Sequence, residues 1–220
     1  MRGVLRFRKM SGLSAAVGLA CVISVMPAVT SSAHAQTITP YTFAVDEGVS
    51  HLQVQGTVMG FKLIGDRKAA IGGDIDARLG NNIEPFRGFK IDDSTLIQLD
   101  DINAELENPI PWLPPIGHID VTGITARLTT GVVRLNADGT YTTNKGSLTV
   151  LSGTLSGDIL GIPIAPVDLA GNGSSGLPLS GSLLQDGDFI NLEVPVSVPV
   201  KTPDVNLTFS GGFFGVAAVK

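Results

Sequence analysis

Apolar and polar residues alternate one by one along much of the chain, the period of a strand with one buried face. The clearest run places Ile190, Leu192, Val194, Val196, Val198 and Val200 on one side and Asn191, Glu193, Pro195, Ser197, Pro199 and Lys201 on the other. Both prolines fall on the polar side. Proline has no N–H to give a ladder, so this strand is expected at an edge or bent. Val205, Leu207 and Phe209 begin a last strand against Asn206, Thr208 and Ser210. Earlier, Leu52, Val54 and Val58 oppose Gln53, Gln55 and Thr57. Ile71, Ile75, Ala77 and Leu79 oppose Asp74, Asp76 and Arg78.

Turn residues punctuate these runs. Asn136-Ala137-Asp138-Gly139 and Asp186-Gly187 read as hairpin turns. Gly72-Gly73, Gly80-Asn81-Asn82 and Gly171-Asn172-Gly173 are further breaks. Residues 92–106 carry Leu96, Leu99, Ile102 and Leu106, which fit a capped helix or a strand, a turn and a strand; the second is favoured. Strands recurring every 8–12 residues or so predict an all-β, single-domain antiparallel barrel or sandwich. An internal two-fold repeat is also suggested. Leu52 to Gly60 resembles Leu148 to Gly157 with one residue inserted, and aligns Gly56 with Gly153. Gly-Thr turns are common enough in β-proteins to match by chance.

Composition supports strands. Glycine at 27 and proline at 13 suit turns better than long helices, and 43% apolar with 16% charged residues is no disordered composition. The first 35 residues read as a separate segment. Arg2, Arg6, Arg8 and Lys9 precede an uncharged, largely apolar stretch, and Ala33-His34-Ala35 offers a signal-peptidase site. A membrane anchor needs about 20 apolar residues, close to this length, but Pro27 and the Ala-His-Ala site favour cleavage after Ala35. A lipoprotein is disfavoured, because Gly18 stands where an aliphatic residue should precede Cys21. The expected mature domain is residues 36–220, periplasmic or secreted, with no stable transmembrane anchor.

That cut changes the chemistry. It removes the one cysteine and four cations, leaving 11 Lys+Arg against 20 Asp+Glu, a net charge of −9. Disulfides, thiol nucleophiles and thiolate metal ligands go with it. The acidic balance argues against nucleic acid or an anionic membrane as partner.

The opening of the mature chain, Tyr41-Thr42-Phe43-Ala44-Val45-Asp46 through Ser50-His51-Leu52, resembles the YceI-like family of exported, lipocalin-shaped β-barrels. Met59-Gly60-Phe61 and Gly73-Asp74-Ile75 match that family's following elements. Ser50 and His51 stand in the reverse of its usual order, and the resemblance ends after about 45 mature residues. It implies carriage of a long apolar lipid inside the barrel. The C-terminus, Phe213 to Lys220, also invites comparison with secreted Gly/Thr-rich β-proteins bearing a sorting tag. It lacks the long apolar segment and basic tail of such a tag.

No catalytic or metal signature emerges. His51 and His118 are the mature histidines, and two scattered histidines without cysteine make a poor zinc site. Asp74 with Asp76, Asp92-Asp93 and Asp100-Asp101 lack calcium-loop spacing. Gly173-Ser174-Ser175-Gly176 lacks the spacing of a nucleophile elbow. No cofactor is expected. Asn108 to Ile116 holds four prolines and the only tryptophan. Trp112 and Leu113 there could lid a cavity or meet a partner, and a tryptophan plugging one end of the core is the plainer expectation. The leading expectation is a non-enzymatic carrier of an apolar, lipid-like ligand lined by Leu52, Val54, Ile75 and Phe89, with Trp112 and Leu113 at its mouth. The alternative is an extracellular structural or adhesive β-protein. A hydrolase is third, with only dispersed carboxylates behind it.

Overall fold

In the computed structural model, which describes residues 38–65, 67–80 and 86–220, the alternation resolves into fourteen strands and no helix. The expected signal segment, its cleavage site and the turn at residues 81–82 lie outside the described residues. The strands are β1 (Ile38–Val45), β2 (His51–Val58), β3 (Phe61–Ile64), β4 (Lys68–Gly80), β5 (Gly88–Ile91), β6 (Leu96–Leu99) and β7 (Ile102–Leu106). They continue with β8 (Gly117–Thr130), β9 (Val133–Arg134), β10 (Thr140–Ile159), β11 (Ile162–Asp168), β12 (Gly173–Asp186), β13 (Phe189–Lys201) and β14 (Val205–Ala218). Residues 92–106 hold no helix: a turn at Asp93-Ser94 precedes β6, and β6 and β7 then run end to end along β8 in one register, so Asp100-Asp101 interrupt the run where a turn back was expected.

All pairings are antiparallel and belong to one sheet that closes on itself. A ring runs β2–β3–β7–β8–β10–β12–β13–β14 and back to β2. A second path, β8–β6–β4–β1–β14, spans the other half of the same long strands. Register defines two ends. At one, which we call apical, Gly117 pairs with Leu106 and Ile159. At the other, the basal end, Thr130 pairs with Gly146. A straight strand of 20 residues like β10 would span roughly 65 Å. Its register shifts near Val150–Thr154 and Thr143–Ser147 show the irregularities by which it departs from straight pairing.

The prolines of β13 fall where the pattern placed them. β13 keeps register with β14 through Pro195 and Pro199, whereas its pairing with β12 stops at Glu193. The prolines therefore lie in the half of β13 with one neighbour. β11 pairs only with β10 and carries Pro163 and Pro166.

The interior is solid. Leu52, Val54, Ile75 and Phe89 face inward as alternation requires, but they are packed core rather than the lining of a hollow. Phe89 meets Tyr141 edge-on, with ring centroids 4.9 Å apart. The void bordered by Leu52, Ile97, Val198 and Phe209 measures about 30 Å³. That is the volume of one water, against the several hundred Å³ of a ligand site. The inward side chains among the described residues are almost wholly shielded from solvent, which leaves no elongated space beside them.

Candidate functional site

The space that the core does not hold is found at the apical end. There the chain makes two hairpins of the same build. Gly56-Thr57-Val58-Met59-Gly60-Phe61 joins β2 to β3, and Gly157-Asp158-Ile159-Leu160-Gly161-Ile162 joins β10 to β11. Each tip has two residues at positive φ: Met59 (50°) with Gly60 (85°), and Leu160 (54°) with Gly161 (76°). Two-residue hairpin loops of this kind normally take Asn-Gly or Asp-Gly. A bulky residue there costs on the order of 1–3 kcal/mol and persists only where surroundings hold it. The surroundings do so. The Met59 N–H donates to the Asp204 carbonyl at 2.6 Å, and the Leu160 N–H donates to the Ile116 carbonyl at 2.6 Å. Four residues before each tip glycine, Gly56 (φ 137°) and Gly157 (φ 154°) let a neighbouring strand close in. A Cβ on either would stand 2.0 Å from the Asn206 carbonyl or 2.1 Å from that of His118. The structural correspondence is thus Gly56 with Gly157, four residues from the pairing with Gly153 that the sequence suggested.

Both tips push apolar side chains into solvent. Met59 is 52% exposed, Leu160 75% and Ile162 70%. Between them opens a cleft of about 560 Å³, floored by the buried Leu155 and Val205 and walled by Val58, Phe61 and the β11 residues Ile162 to Val167. Thirteen of its lining residues are apolar, and Asp204 is the single ionisable one. A concave site of this size with one polar group suits a small, mostly apolar ligand.

The Pro-rich loop between β7 and β8 stands beside it, because Ile116 binds both Leu106 and Leu160 through its backbone. Trp112 is 84% exposed, so it does not plug the core. Four prolines and internal bonds give the loop its own shape: Asn108 Oδ1 accepts from the Ile110 N–H at 3.0 Å, and Asn108 Nδ2 donates to the Pro114 carbonyl at 3.0 Å. Leu113 is exposed with Trp112. The six residues expected to share a site therefore separate into four in the core and two on this loop.

The described histidines sit on neighbouring acids or backbone. His118 Nδ1 lies on Asp158 and its Nε2 is 3.5 Å from Asp120 Oδ2. These are strand neighbours on one face, since Asp158 is in register with His118. His51 Nδ1 is 3.1 Å from the Val49 carbonyl. Neither histidine meets a hydroxyl, and no three acidic, histidine or cysteine groups converge on one point among the described residues. Thr42 and Ser94 both donate to Asp76, at 2.8 and 2.7 Å. The buried Tyr141 hydroxyl donates to the Glu193 carbonyl at 2.8 Å, and burial holds its pKa well above the usual tyrosine value.

Sequence reading missed the cleft because β11 (Ile162-Pro163-Ile164-Ala165-Pro166-Val167-Asp168) has neither clean alternation nor a motif. The available signal was an apolar residue before glycine in both hairpins, where a polar one is usual. No protein-family model matches the chain, and searches of curated proteins and of solved structures find no significant match.

Proposed function

We propose that this protein is an exported, non-enzymatic binding protein that takes an apolar, lipid-like ligand in the apical cleft rather than inside the sheet. The observation that carries this reading is the cleft itself: about 560 Å³ of apolar wall beside two tips whose backbone favours a polar residue but which present Met59 and Leu160. Strain retained at a surface position points to use of the side chain displayed there. Asp204 as the one ionisable lining group favours a ligand ending in a hydroxyl or an amine over a fatty acid, whose carboxylate it would repel.

The structural or adhesive alternative draws less support. Assembly by strand addition needs an open edge; β11 carries Pro163 and Pro166, the singly paired half of β13 carries Pro195 and Pro199, and β9 at the other end of the sheet is only two residues long.

The test is titration of the mature protein with the neutral apolar probe N-phenyl-1-naphthylamine, followed by displacement with hexadecanol or palmitate. Saturable one-to-one binding is expected, with hexadecanol displacing better than palmitate. A Leu160→Asp/Ile162→Asp variant, altered only at exposed positions, should lose it. Unchanged probe binding in that variant would place the ligand elsewhere and sink the reading.

A further inference from the structure

The basal end bears a feature that the acidic balance of the chain conceals. Arg78, Lys90 and Arg134 are brought together by register alone: Arg78 pairs with Lys90 across β4–β5, and Gly88 pairs with Arg134 across β5–β9. Arg87 precedes Gly88, and its carbonyl accepts the Leu135 N–H at 3.2 Å. Leu79, Phe89 and Val133 are buried, so alternation turns Arg78, Lys90 and Arg134 to the outer face. These four cations line a groove of about 660 Å³, and no carboxylate lines it among the described residues.

Their pairing is incomplete. Like charges directly opposite in a sheet repel, and Asp92 offsets that repulsion at Arg78 (Nε to Oδ2, 2.7 Å) and Lys90 (Nζ to Oδ1, 3.7 Å). One carboxylate thus serves two cations. Arg87 and Arg134 have no side-chain partner among the described residues. The floor between them is Gly80 paired with Gly88, which leaves no side chain in the way. Gly88 cannot be replaced without moving β9, because a Cβ there would stand 2.5 Å from the Val133 carbonyl. Ile38 and Val132 are exposed at the groove and give it apolar walls.

We propose that this groove binds an oxyanion, a phosphate or sulfate group carried on an organic body. The guanidiniums of Arg87 and Arg134 supply forked donors that match such a group bidentately, and Arg78 and Lys90, two cations that share the single carboxylate of Asp92, add attraction. The apolar walls suit the body that bears the anion. The site is independent of the apical cleft and stands or falls without it.

The oxyanion could be soluble or a lipid headgroup, and two arms separate these. The mature protein is titrated at low salt with inorganic pyrophosphate by calorimetry. It is also sedimented with phosphatidylcholine vesicles containing phosphatidylglycerol. Pyrophosphate binding that falls about tenfold or more in Arg87→Ala/Arg134→Ala, and weakens as salt is raised, supports the site. The control Lys201→Ala, at the apical end of β13, leaves it unchanged. Vesicle binding lost in the same double variant assigns the group to a headgroup; pyrophosphate binding without vesicle binding assigns it to a soluble ligand. Binding of neither probe, or binding equal in wild type and double variant, overturns the proposal. The replaced arginines are exposed and unpartnered, so the variant is expected to keep its melting temperature, which is measured alongside.

Discussion

The two ends of this molecule share their long strands and differ in almost everything else. At the apical end Met59, Leu160 and Ile162 are displayed around an apolar cleft whose described lining has one carboxylate. At the basal end Arg78, Arg87, Lys90 and Arg134 surround a glycine-floored groove with no carboxylate among its described lining residues. The middle must satisfy the sheet, where each inward side chain meets one from the opposite wall. The ends owe nothing to that packing, so their residues are free to differ. The contrast teaches that chemistry on a solid β-core is to be sought where strands turn, and that each end can be altered without the other.

The largest effect expected is at the apical hairpins themselves. Gly56→Ala or Gly157→Ala places a Cβ about 2 Å from a backbone carbonyl at positive φ. Each should cost about 3 kcal/mol or more in chemical denaturation. A cost under about 0.5 kcal/mol would show that the close approach of strands there is not required. Next, Leu160→Asp/Ile162→Asp should abolish apolar probe binding, since each buried apolar side chain contributes about 1.5–3 kcal/mol. The same variant should bind pyrophosphate as wild type does. Loss at both ends together would break the comparison. Smaller and of opposite sign, Leu160→Asn relieves an αL leucine and should stabilise the fold by up to about 1 kcal/mol while weakening the probe. A change in melting temperature of the wrong sign would refute the strain.

Tyr141→Phe, toward the basal side, should lose about 1 kcal/mol of stability with its bond to Glu193. The pH dependence has a definite sign. The folded pKa is raised above the ordinary value of 10.0, so this contribution is intact below pH 10. It is lost as pH rises further, because the unfolded phenol ionises first. The phenylalanine variant should show a shallower alkaline decline, measured by denaturation between pH 8 and 11. The smallest effect is Trp112→Phe, which should leave stability within about 0.5 kcal/mol, because an exposed side chain on a self-bonded loop supports no core. A large loss would mean that Trp112 is packed after all.

Much of the fold was legible. The alternation from Ile190 to Val200 became β13, and the turn expected at Asp186-Gly187 lies one residue on, at Gly187-Asp188, between the paired Asp186 and Phe189. Asn136 to Gly139 became a turn closed by Asn136 and Thr140. The apolar cleft itself was not legible. Trp112 and Leu113 are exposed on the neighbouring loop and do not line it, and Leu52, Val54, Ile75 and Phe89 are buried in the core. Alternation reports which way a side chain points and is silent on whether the far wall is near enough to touch it. The basal cations were invisible for a related reason. They lie between positions 78 and 134, and net charge averages over residues that only strand pairing assembles.

By itself the sequence determined the class of the fold, the inward face of the strands with clean alternation, most of the places where the chain turns and the positions where prolines bar a neighbour. These follow from the residue and its near neighbours, because period, φ preference and the missing proline N–H are local properties. Tertiary structure alone decided that the interior is full, that Gly56 corresponds to Gly157, that two hairpins meet to shape an apolar cleft and that four cations share one groove. Each depends on distances between residues far apart in the chain, set by which strand pairs with which and at what register.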